Sequence, residues 1–354
     1  MLNRDILLTT FPGHKSRNVG DNLISRSAIE LVRSRFPAYD PDIVFREHSL
    51  DGYNPKDVRS IMAPGFSVSN DTYPTLFSLY SDLSKLHSFF PVGCSFQHPI
   101  PTQESFDNYT FNASTLKVLS HISALCGRIP CRDQLIEGLL SRHGIPAVYC
   151  GDVALFDQTV IDTIFTPPSE INSLVFTICN NPIRFGKQSE ALLLLISERF
   201  PDAKKYVAHH SRPVTASAEI SDFAENLGFS KLHLYGDAVN LASYDSIDLH
   251  VGYRLHGHIS FLRRRKPSLL FIEDARAFGF ANSGSFATGC FEALSADNER
   301  GVRSEAPLAA MEFLDDEIKR EFASYSSVFD SIDDIYKNVL SPRFDEFCSL
   351  FADR

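Results

Sequence analysis

Short apolar runs alternate along the chain with longer stretches in which apolar residues recur every three or four positions. The short runs are typical of buried strands, and the longer stretches are typical of amphipathic helices. A first strand is predicted at residues 6–11, and a first helix at 22–36. Later strands are expected to end at Ala63, Val92, Ile129 and Tyr149. Such alternation predicts parallel sheets whose strands are joined by crossover helices.

Residues 166–170 interrupt the alternation, because Pro167 and Pro168 can continue neither a helix nor a strand. Beyond them the pattern restarts, with predicted strands at 174–178, 205–208, 231–235, 247–251 and 268–272. Helices are predicted at 189–200 and 217–227, and the chain becomes amphipathic and helical from about Ala306. We therefore predict an α/β fold with two Rossmann-like domains, 1–165 and 171–305, that face a cleft. A helical C-terminal tail, 306–354, follows them.

The composition agrees with a globular protein of two domains. The chain has 354 residues, of which 44% are apolar and 22% are charged. Its formal net charge of -10 offers no overall field to attract nucleic acid. The one basic run, residues 263–266, is interpreted as a solvated helix C-terminus that complements the helix dipole. The alternative is a local contact with an anionic lipid or phosphate.

The sequence predicts a cytoplasmic protein. No apolar run reaches the roughly 20 residues that span a bilayer, and the first residues lack the apolar region of a signal peptide. The seven cysteines form no C-x-x-C pair, so we expect reduced thiols rather than disulfides or a zinc site. Contact with the inner face of the membrane would be peripheral at most. The sequence leaves open whether the protein forms a homo-oligomer.

Ligands of open parallel sheets bind outside the carboxyl ends of the strands. That rule selects candidate site residues in both predicted domains before any chemistry is considered. In the first domain they are Asn18, Gly20, Asp21, Gly65, Ser67, Gly93, Ser95, Arg132 and Asp133. In the second domain they are Asn180, Asn181, His209, His210, Arg254, His256, Asp274 and Arg276. If the two domains face each other, these residues line one cleft.

The turn around Arg254 and His256 carries the most chemistry. It follows an apolar strand and opens a predicted helix, whose N-terminus suits a phosphate or carboxylate. Arg254 adds a bidentate fork for the same anion, His256 can move a proton near neutral pH, and Gly257 would let a ligand approach the backbone. Alternatively, Arg254 pairs with an Asp and His256 caps the helix. His256 and His258 alone are too few ligands for zinc, so no metal is predicted.

Two further turns offer weaker candidates. In residues 18–22 (NVGDN), Asp21 reads as a helix N-cap or as a base toward sugar hydroxyls. This segment is neither a GxGxxG fingerprint nor a phosphate-binding P-loop. Asp133 also reads as a cap, while Arg132 could point into the cleft as a second anion contact. His209, His210, Asn180 and Asn181 are supported only by their position.

Four blocks of the sequence together resemble the polysaccharide pyruvyl transferase family. They are residues 18–22, Arg132-Asp133 with Leu139, Leu140 and Gly144, then Gly151-Asp152, and residues 252–257 (GYRLHG). Their order and spacing are similar over roughly residues 5–280. The resemblance implies a GT-B-like pair of Rossmann domains. It also implies transfer of pyruvate from phosphoenolpyruvate to hydroxyls of a cell-surface glycan sugar or its precursor, as in exopolysaccharide biosynthesis, giving a ketal.

The resemblance also implies roles for the candidate residues. Arg254 and Arg132 would bind the donor, and His256 would support proton transfer. Gly257 and His210 are placed on the donor side with them, and Asp21 or His210 is the candidate base. The acceptor is expected at the first domain, where the predicted contacts are Asn18, Gly20, Ser67 and Ser95. Phosphoenolpyruvate is then a substrate and no cofactor is expected; the acceptor sugar could be lipid- or nucleotide-linked.

The chain also departs from the family pattern. Residues 63–67 replace a glycine-rich run, and residues 93–96 keep only part of the usual loop. Because both loops belong to the predicted acceptor side, a different transfer reaction stays open. Two alternatives remain for the whole chain. One is a glycosyltransferase that uses a nucleotide sugar on the same scaffold, and the other is a non-catalytic protein that binds a glycan or phosphosugar.

Overall fold

The computed structural model describes residues 4–10, 17–295 and 298–351. The first parallel sheet has the order β2-β1-β3-β4. Its strands are β1 (Arg4–Thr9), β2 (Asp42–Phe45), β3 (Val58–Pro64) and β4 (Phe89–Val92). A bridge between Cys94 and Cys131 connects this sheet to the parallel pair β5 (Ile129–Cys131) and β6 (Ala147–Tyr149). The first half of the chain therefore forms one layer of parallel strands.

The second sheet has six strands, in the order β12-β11-β10-β7-β8-β9, and every pair is parallel. Its strands are β7 (Ser173–Thr177), β8 (Lys204–His209), β9 (Ser230–His233), β10 (Leu249–Gly252), β11 (Ser268–Ile272) and β12 (Cys290–Glu292). A short antiparallel pair, β13 (Leu294–Ser295) and β14 (Asn298–Val302), follows. Strands β7, β10 and β11 are buried along their whole length, as central strands between two helical layers must be.

Helices connect the strands and close the chain. In the first half they are α1 (Val19–Arg33), α2 (Gln103–Asp107), α3 (Ala113–Cys126) and α4 (Gln134–Arg142). In the second half they are α5 (Pro182–Arg199), α6 (Thr215–Asn226), α7 (Leu255–Leu262) and α8 (Ala275–Ala281). The C-terminal helices are α9 (Ala306–Lys319), α10 (Tyr325–Ile335) and α11 (Ser341–Ser349). Longer 3₁₀ segments include Ala238–Ser246, and a π-helical turn, Tyr336–Leu340, joins α10 to α11.

The C-terminal helices contact both halves of the chain. The α9 helix packs on α5, where Arg199 Nε lies 2.5 Å from Asp315 Oδ1. The α11 helix returns to the first half, where Phe347 stacks on Phe90 with ring centroids 4.7 Å apart. The α/β fold with parallel sheets and a helical C-terminus is therefore confirmed. No helix in the described part of the chain is long and apolar enough to cross a membrane.

Some sequence-based boundaries are wrong, for local reasons. The α1 helix begins at Val19, because the Asn18 side chain caps it by accepting from Gly20 N at 3.2 Å. Asp21 is therefore not the N-cap and lies in the first turn. The α5 helix begins at Pro182, since Asn181 caps it and proline suits the first helical position. The sequence patterns did not reveal the edge strands β2 and β12.

The basic run at residues 263–266 is not a solvated helix end, and that interpretation is wrong. Arg263 and Arg265 are only 9% and 7% exposed. Arg263 donates from Nη1 to Ser27 Oγ on α1 at 3.0 Å, while Arg265 donates to Phe329 O on α10 at 3.0 Å and pairs with Asp333. Two arginines of this run thus join the second half of the chain to the first half and to the tail.

Candidate active site

The carboxyl ends of the two sheets face each other across the N-terminus of α1. Val19 N donates to His210 O at 2.9 Å, which joins the start of α1 to the end of β8. Next to it, Arg254 Nη2 donates to Asn18 Oδ1 at 3.0 Å. These contacts bring the turn at residues 18–22 against the turn at residues 254–257. Two segments separated by more than half of the chain thereby form one site.

Arg254 is buried, and its described side-chain hydrogen bonds all go to neutral oxygens. It is 8% exposed and lies at the N-cap position of α7. Its guanidinium donates to Asn180 Oδ1, to Asn18 Oδ1, and to Ser211 Oγ at 3.2 Å. The expected alternative, a pair with an Asp, does not occur among the described residues. Burial lowers the pKa of Arg254, while the nearby Glu273 carboxyl opposes that shift.

A cavity of about 320 Å³ opens at the carboxyl ends of β7 and β8, and Arg254 forms part of its wall. Its polar lining comes from the end of β8, the loops after β7 and β8, and the start of α6: Asn180, His209, His210, Ser211, Arg212 and Ser217. Binding sites in parallel sheets are expected at this edge. Because Arg254 is held there by neutral partners only, the cavity offers an anion a buried positive charge.

His256 and Arg132 meet at one carboxylate, that of Asp152. His256 Nε2 and Arg132 Nη2 each lie 3.4 Å from Asp152 Oδ2, and all three side chains are at most 8% exposed. The other oxygen, Oδ1, accepts from Ala154 N at 2.9 Å, which fixes the carboxylate. Burial alone would raise the pKa of Asp152, but Arg132 and His256 hold it below its ordinary value. Asp152 is therefore an anion between a side chain of the first half of the chain and one of the second half.

Arg132 keeps donor groups that no protein atom satisfies. It is 4% exposed, and within the described residues its Nε and Nη1 have no hydrogen-bond partner. Buried polar groups are normally satisfied, so these guanidinium N–H groups are left free to bind another molecule. The neighbouring Asp133 caps α4, as predicted, by accepting from Ile136 N at 2.9 Å. Burial raises the pKa of Asp133 to about 7, and its Oδ2 is also unpaired within the described residues.

Two glycines of the site make room for histidines. A Cβ at Gly20 would lie 2.6 Å from His256 Nδ1, so α1 packs directly on the imidazole ring. A Cβ at Gly257 would lie 2.9 Å from His250 Nε2. Gly257 was expected to admit a ligand to the backbone, but its open side is filled by His250 and Thr177. In this structure its missing side chain serves packing.

The other candidate histidines are uncharged and engaged. His210 Nε2 lies 2.6 Å from Tyr244 Oη, and burial lowers its pKa well below the ordinary value, which makes it a weak base. His209 stacks on His233, and burial lowers its pKa to about 4. His258 faces Ser268, with Nδ1 and Oγ 2.7 Å apart. No cluster that could hold a metal ion occurs among the residues that the structure describes.

The predicted acceptor contacts at the first sheet divide into two groups. Asn18 and Gly20 lie in the interface with Arg254 and His256. Ser67 and Ser95 are 0% and 2% exposed, and Ser95 donates to Gly65 O at 3.1 Å. In this structure the two hydroxyls are buried inside the strand-end loops, away from the surface that an acceptor would approach.

The remaining candidates lie around the same cleft. Asp21 is half-buried in the first turn of α1. It lies near enough to Arg254 for its negative charge to favour a higher pKa of the guanidinium. Asn181 caps α5, and Asp274 caps α8 while pairing with Arg276 Nε at 3.0 Å. These positions assign no chemistry to Asn181 or Asp274 beyond the caps.

Comparison with known proteins identifies the arrangement but no family. No protein-family model matches the chain, and a search of curated protein sequences finds no significant match. Among solved structures, the wall teichoic acid polymerase TagF is similar at 10% identity with a TM-score of 0.52, covering 99% of this chain and 90% of that one. The fold is GT-B-like.

Two further structures are similar at lower scores. The UDP-GlcNAc 2-epimerase from Neisseria meningitidis, bound to UDP-GlcNAc, has a TM-score of 0.46 at 10% identity and covers 100% of both chains. Accessory secretory protein 1,2 and 3 from Streptococcus pneumoniae has a TM-score of 0.46 at 13% identity. That match covers 92% of this chain, which spans 57% of the length of the other. At these identities the likeness concerns the fold alone.

Two carboxylates of the site had no role assigned from the sequence. Asp152 belongs to one of the sequence blocks and lies in the turn after β6, three residues beyond its end. Glu273 directly follows β11, is 8% exposed, and accepts from Asn180 N at 2.9 Å. Its position at a strand end was the one available signal. An acidic residue after a strand is usually a cap or a surface group, so only the tertiary structure shows that Glu273 is buried beside Arg254.

Proposed function

We propose that this protein is a transferase that moves a pyruvyl group from phosphoenolpyruvate to hydroxyls of a glycan sugar or its precursor. One observation carries the proposal. Two buried arginines, Arg254 and Arg132, lie near His256, the first with neutral partners only and the second with unpaired N–H groups. Phosphoenolpyruvate carries a carboxylate and a phosphate, and each suits a guanidinium fork. The block resemblance of residues 252–257 supports the same donor.

The atoms and protons of the proposed reaction balance with one acid on the protein and proton exchange with water. A proton is added to C3 of phosphoenolpyruvate, one acceptor hydroxyl bonds to C2, and the C2–O bond to phosphate breaks. A second hydroxyl then bonds to C2 and closes the ketal. The two hydroxyls lose two protons, of which one equivalent stays on C3 and the other leaves on phosphate. The step needs no oxidant or reductant.

His256 is the proposed acid, and Asp152 is the proposed partner that orients it. Asp152 Oδ2 lies 3.4 Å from Nε2, where its negative charge favours a proton on that nitrogen, although the two atoms do not form a hydrogen bond. Proton exchange is then assigned to Nδ1, which faces Gly20 at the start of α1. Asp21 is the proposed base toward an acceptor hydroxyl, since the pKa of His210 is too low for that task.

The acceptor in this proposal binds on the side of the first sheet. We propose a sugar, lipid- or nucleotide-linked, that approaches from the first sheet past Asn18 and Asp21. The similar fold of a wall teichoic acid polymerase agrees with a cell-envelope polymer as the final product, although the likeness itself concerns only the fold. A glycosyltransferase reaction is the competing outcome of the donor test below.

The donor is tested by thermal shift with phosphoenolpyruvate, UDP, GDP and CMP in parallel. We expect phosphoenolpyruvate to raise the melting temperature. At a hundredfold excess over Kd, binding should add about 3 kcal/mol to the free energy of unfolding. Phosphate release with a panel of nucleotide- and lipid-linked sugars then tests the transfer. Protection by a nucleotide but not by phosphoenolpyruvate would replace the donor and favour a glycosyltransferase.

Two variants separate binding from proton transfer. Arg254→Ala should raise the KM for phosphoenolpyruvate strongly, because it removes the buried charge. His256→Ala should abolish phosphate release while the donor Kd stays within about tenfold, roughly 1.4 kcal/mol. Arg33→Ala is the control, since Arg33 pairs with the exposed Asp40 at the surface. The reverse pattern, with Kd lost in His256→Ala and turnover lost at constant KM in Arg254→Ala, contradicts these roles.

A further inference from the structure

Glu273 is joined to Arg254 through the turn that follows β7. Both carboxylate oxygens of Glu273 accept from Asn180 N, at 3.0 and 2.9 Å. The side chain of the same Asn180 accepts from the Arg254 guanidinium through Oδ1. Glu273 therefore fixes the backbone of the residue that holds Arg254, and it does so from a buried position, being 8% exposed.

The charges around Glu273 are few, and most of them are constant near neutral pH. The groups that influence it or feel its charge come from the ends of β7, β10 and β11 and from α8, and they are Cys179, Tyr253, Arg254, Asp274 and Arg276. Burial raises the pKa of Cys179 to about 12 and also raises that of Tyr253, so both stay neutral. Arg276 holds the pKa of Asp274 below its ordinary value, against the effect of burial.

Glu273 itself is the member of this set that titrates near neutrality. Burial first, and then the charge of Asp274, raise its pKa to about 7, whereas Arg254 opposes the shift. Below that pH the carboxyl is neutral, and of the nearby carboxylates only Asp21 and Asp274 still offset the charge of Arg254. Above it, a buried carboxylate lies near Arg254 and cancels much of the attraction that an anionic ligand would feel.

We propose that Glu273 is a positioning residue whose protonation controls how tightly Arg254 binds an anionic donor. Protonated Glu273 still holds Asn180 and leaves the charge of Arg254 to the donor. Ionised Glu273 competes with the donor for Arg254 and repels its negative groups. The inference rests on the proposed function in one respect, namely that Arg254 contacts the donor.

A linkage argument gives the size of the effect. A bound anion disfavours ionised Glu273, so donor binding must be accompanied by uptake of a proton wherever the free protein is ionised there. Above about pH 7 the affinity then falls by up to tenfold per pH unit. Between about pH 6 and about pH 8 we expect the wild type to lose about tenfold more affinity than a variant that cannot ionise at this position.

The test is calorimetric titration of phosphoenolpyruvate into the wild type, Glu273→Gln and Glu317→Gln at about pH 6 and about pH 8. The ionisation of the ligand is common to all three proteins and cancels. Glu317 is the matched control, because it is 1% exposed and accepts from Ser324 N, but it lies on α9 outside the site. Glu273→Gln should flatten the pH profile, and Glu317→Gln should follow the wild type.

A second measurement needs no variant. Titration of the wild type at about pH 8 in buffers of different ionisation enthalpy should reveal uptake of close to one proton per phosphoenolpyruvate bound. Equal pH profiles for the wild type and Glu273→Gln, or no proton uptake, overturn the role of Glu273 and leave the donor intact. Absence of phosphoenolpyruvate binding to the wild type at about pH 6 instead overturns the donor, and this inference with it.

Discussion

The contact between Gly20 and His256 makes one substitution especially informative. In Gly20→Ala, the new Cβ would lie 2.6, 2.7 and 2.8 Å from Nδ1, Cγ and Cβ of His256. Ordinary carbon contacts begin near 3.5 Å, so the overlap is about 0.8 Å on three atoms at once. The ring or the start of α1 must move by a similar distance.

Neither partner can move without loss. Val19 N is bonded to His210 O, and His256 lies within α7 with its carbonyl accepting from Ser260 Oγ at 2.5 Å. Overpacking of a well-filled interior costs about 1–3 kcal/mol of unfolding free energy. If His256 moves by close to 1 Å, the proposed proton transfer should slow by about a hundredfold. We therefore expect lower stability together with lower turnover.

Denaturant unfolding and phosphate release measure the two effects, and Gly138→Ala is the control. Gly138 lies within α4, where an added Cβ meets nothing within 4 Å. There the change should stabilise the protein by about 0.5–1 kcal/mol, because alanine loses less backbone entropy in a helix. If Gly20→Ala is as stable as Gly138→Ala and turns over like the wild type, α1 does not pack on His256 in solution, and the closed site described above is wrong.

Three further substitutions test the buried charges. Arg265→Met should cost about 3 kcal/mol of unfolding free energy, because it leaves Asp333, whose side chain is only 13% exposed, without its partner, whereas Arg33→Met at the surface should cost less than about 1 kcal/mol. Asp133→Asn tests a pKa raised to about 7: the native carboxyl binds more protons than the unfolded one between about pH 4 and 7, so wild-type stability falls as pH rises there. In denaturant unfolding, the free energy of unfolding of Asp133→Asn relative to the wild type should therefore rise by about 3 kcal/mol from about pH 5 to about pH 8. A difference that does not change with pH would contradict the raised pKa. Asp152→Asn tests the opposite sign: because the native pKa is lowered, the stabilisation is present above about pH 4 and lost below it. The variant should be less stable by about 3–5 kcal/mol near pH 7 and approach the wild type in acid; equal curves would exclude a charge role for Asp152.

The conformation described here is closed at the start of α1. The carbonyl of His210 accepts from Val19 N, and the ring of His256 lies under Gly20, so the two sheets touch directly at this point. Access to Arg254 remains through the cavity at the ends of β7 and β8. The proposed anionic donor therefore has a route to Arg254 that does not require these contacts to break.

The candidate site was predictable as far as its residues follow strands. Arg254, His256, Arg132 and Asn18 were selected by the strand-end rule, and the structure brings them into one interface. Ser67 and Ser95 satisfied the same rule but lie inside their loops. The rule specifies which end of a sheet a residue occupies. Whether the residue is buried at that end depends on how the loops pack, and the local sequence pattern does not indicate this packing.

The sequence by itself determined the alternation of strands and helices, the parallel sheets and the helical C-terminus. These features follow from the period of apolar positions and from local capping, which act over a few residues along the chain. Only the tertiary structure decided which charges meet. Asp152 pairs with Arg132 and His256, Glu273 lies beside Arg254, and the basic run at 263–266 turns inward. Pairing of buried charges depends on distances between segments far apart in sequence, and those distances are set when the two sheets pack against each other.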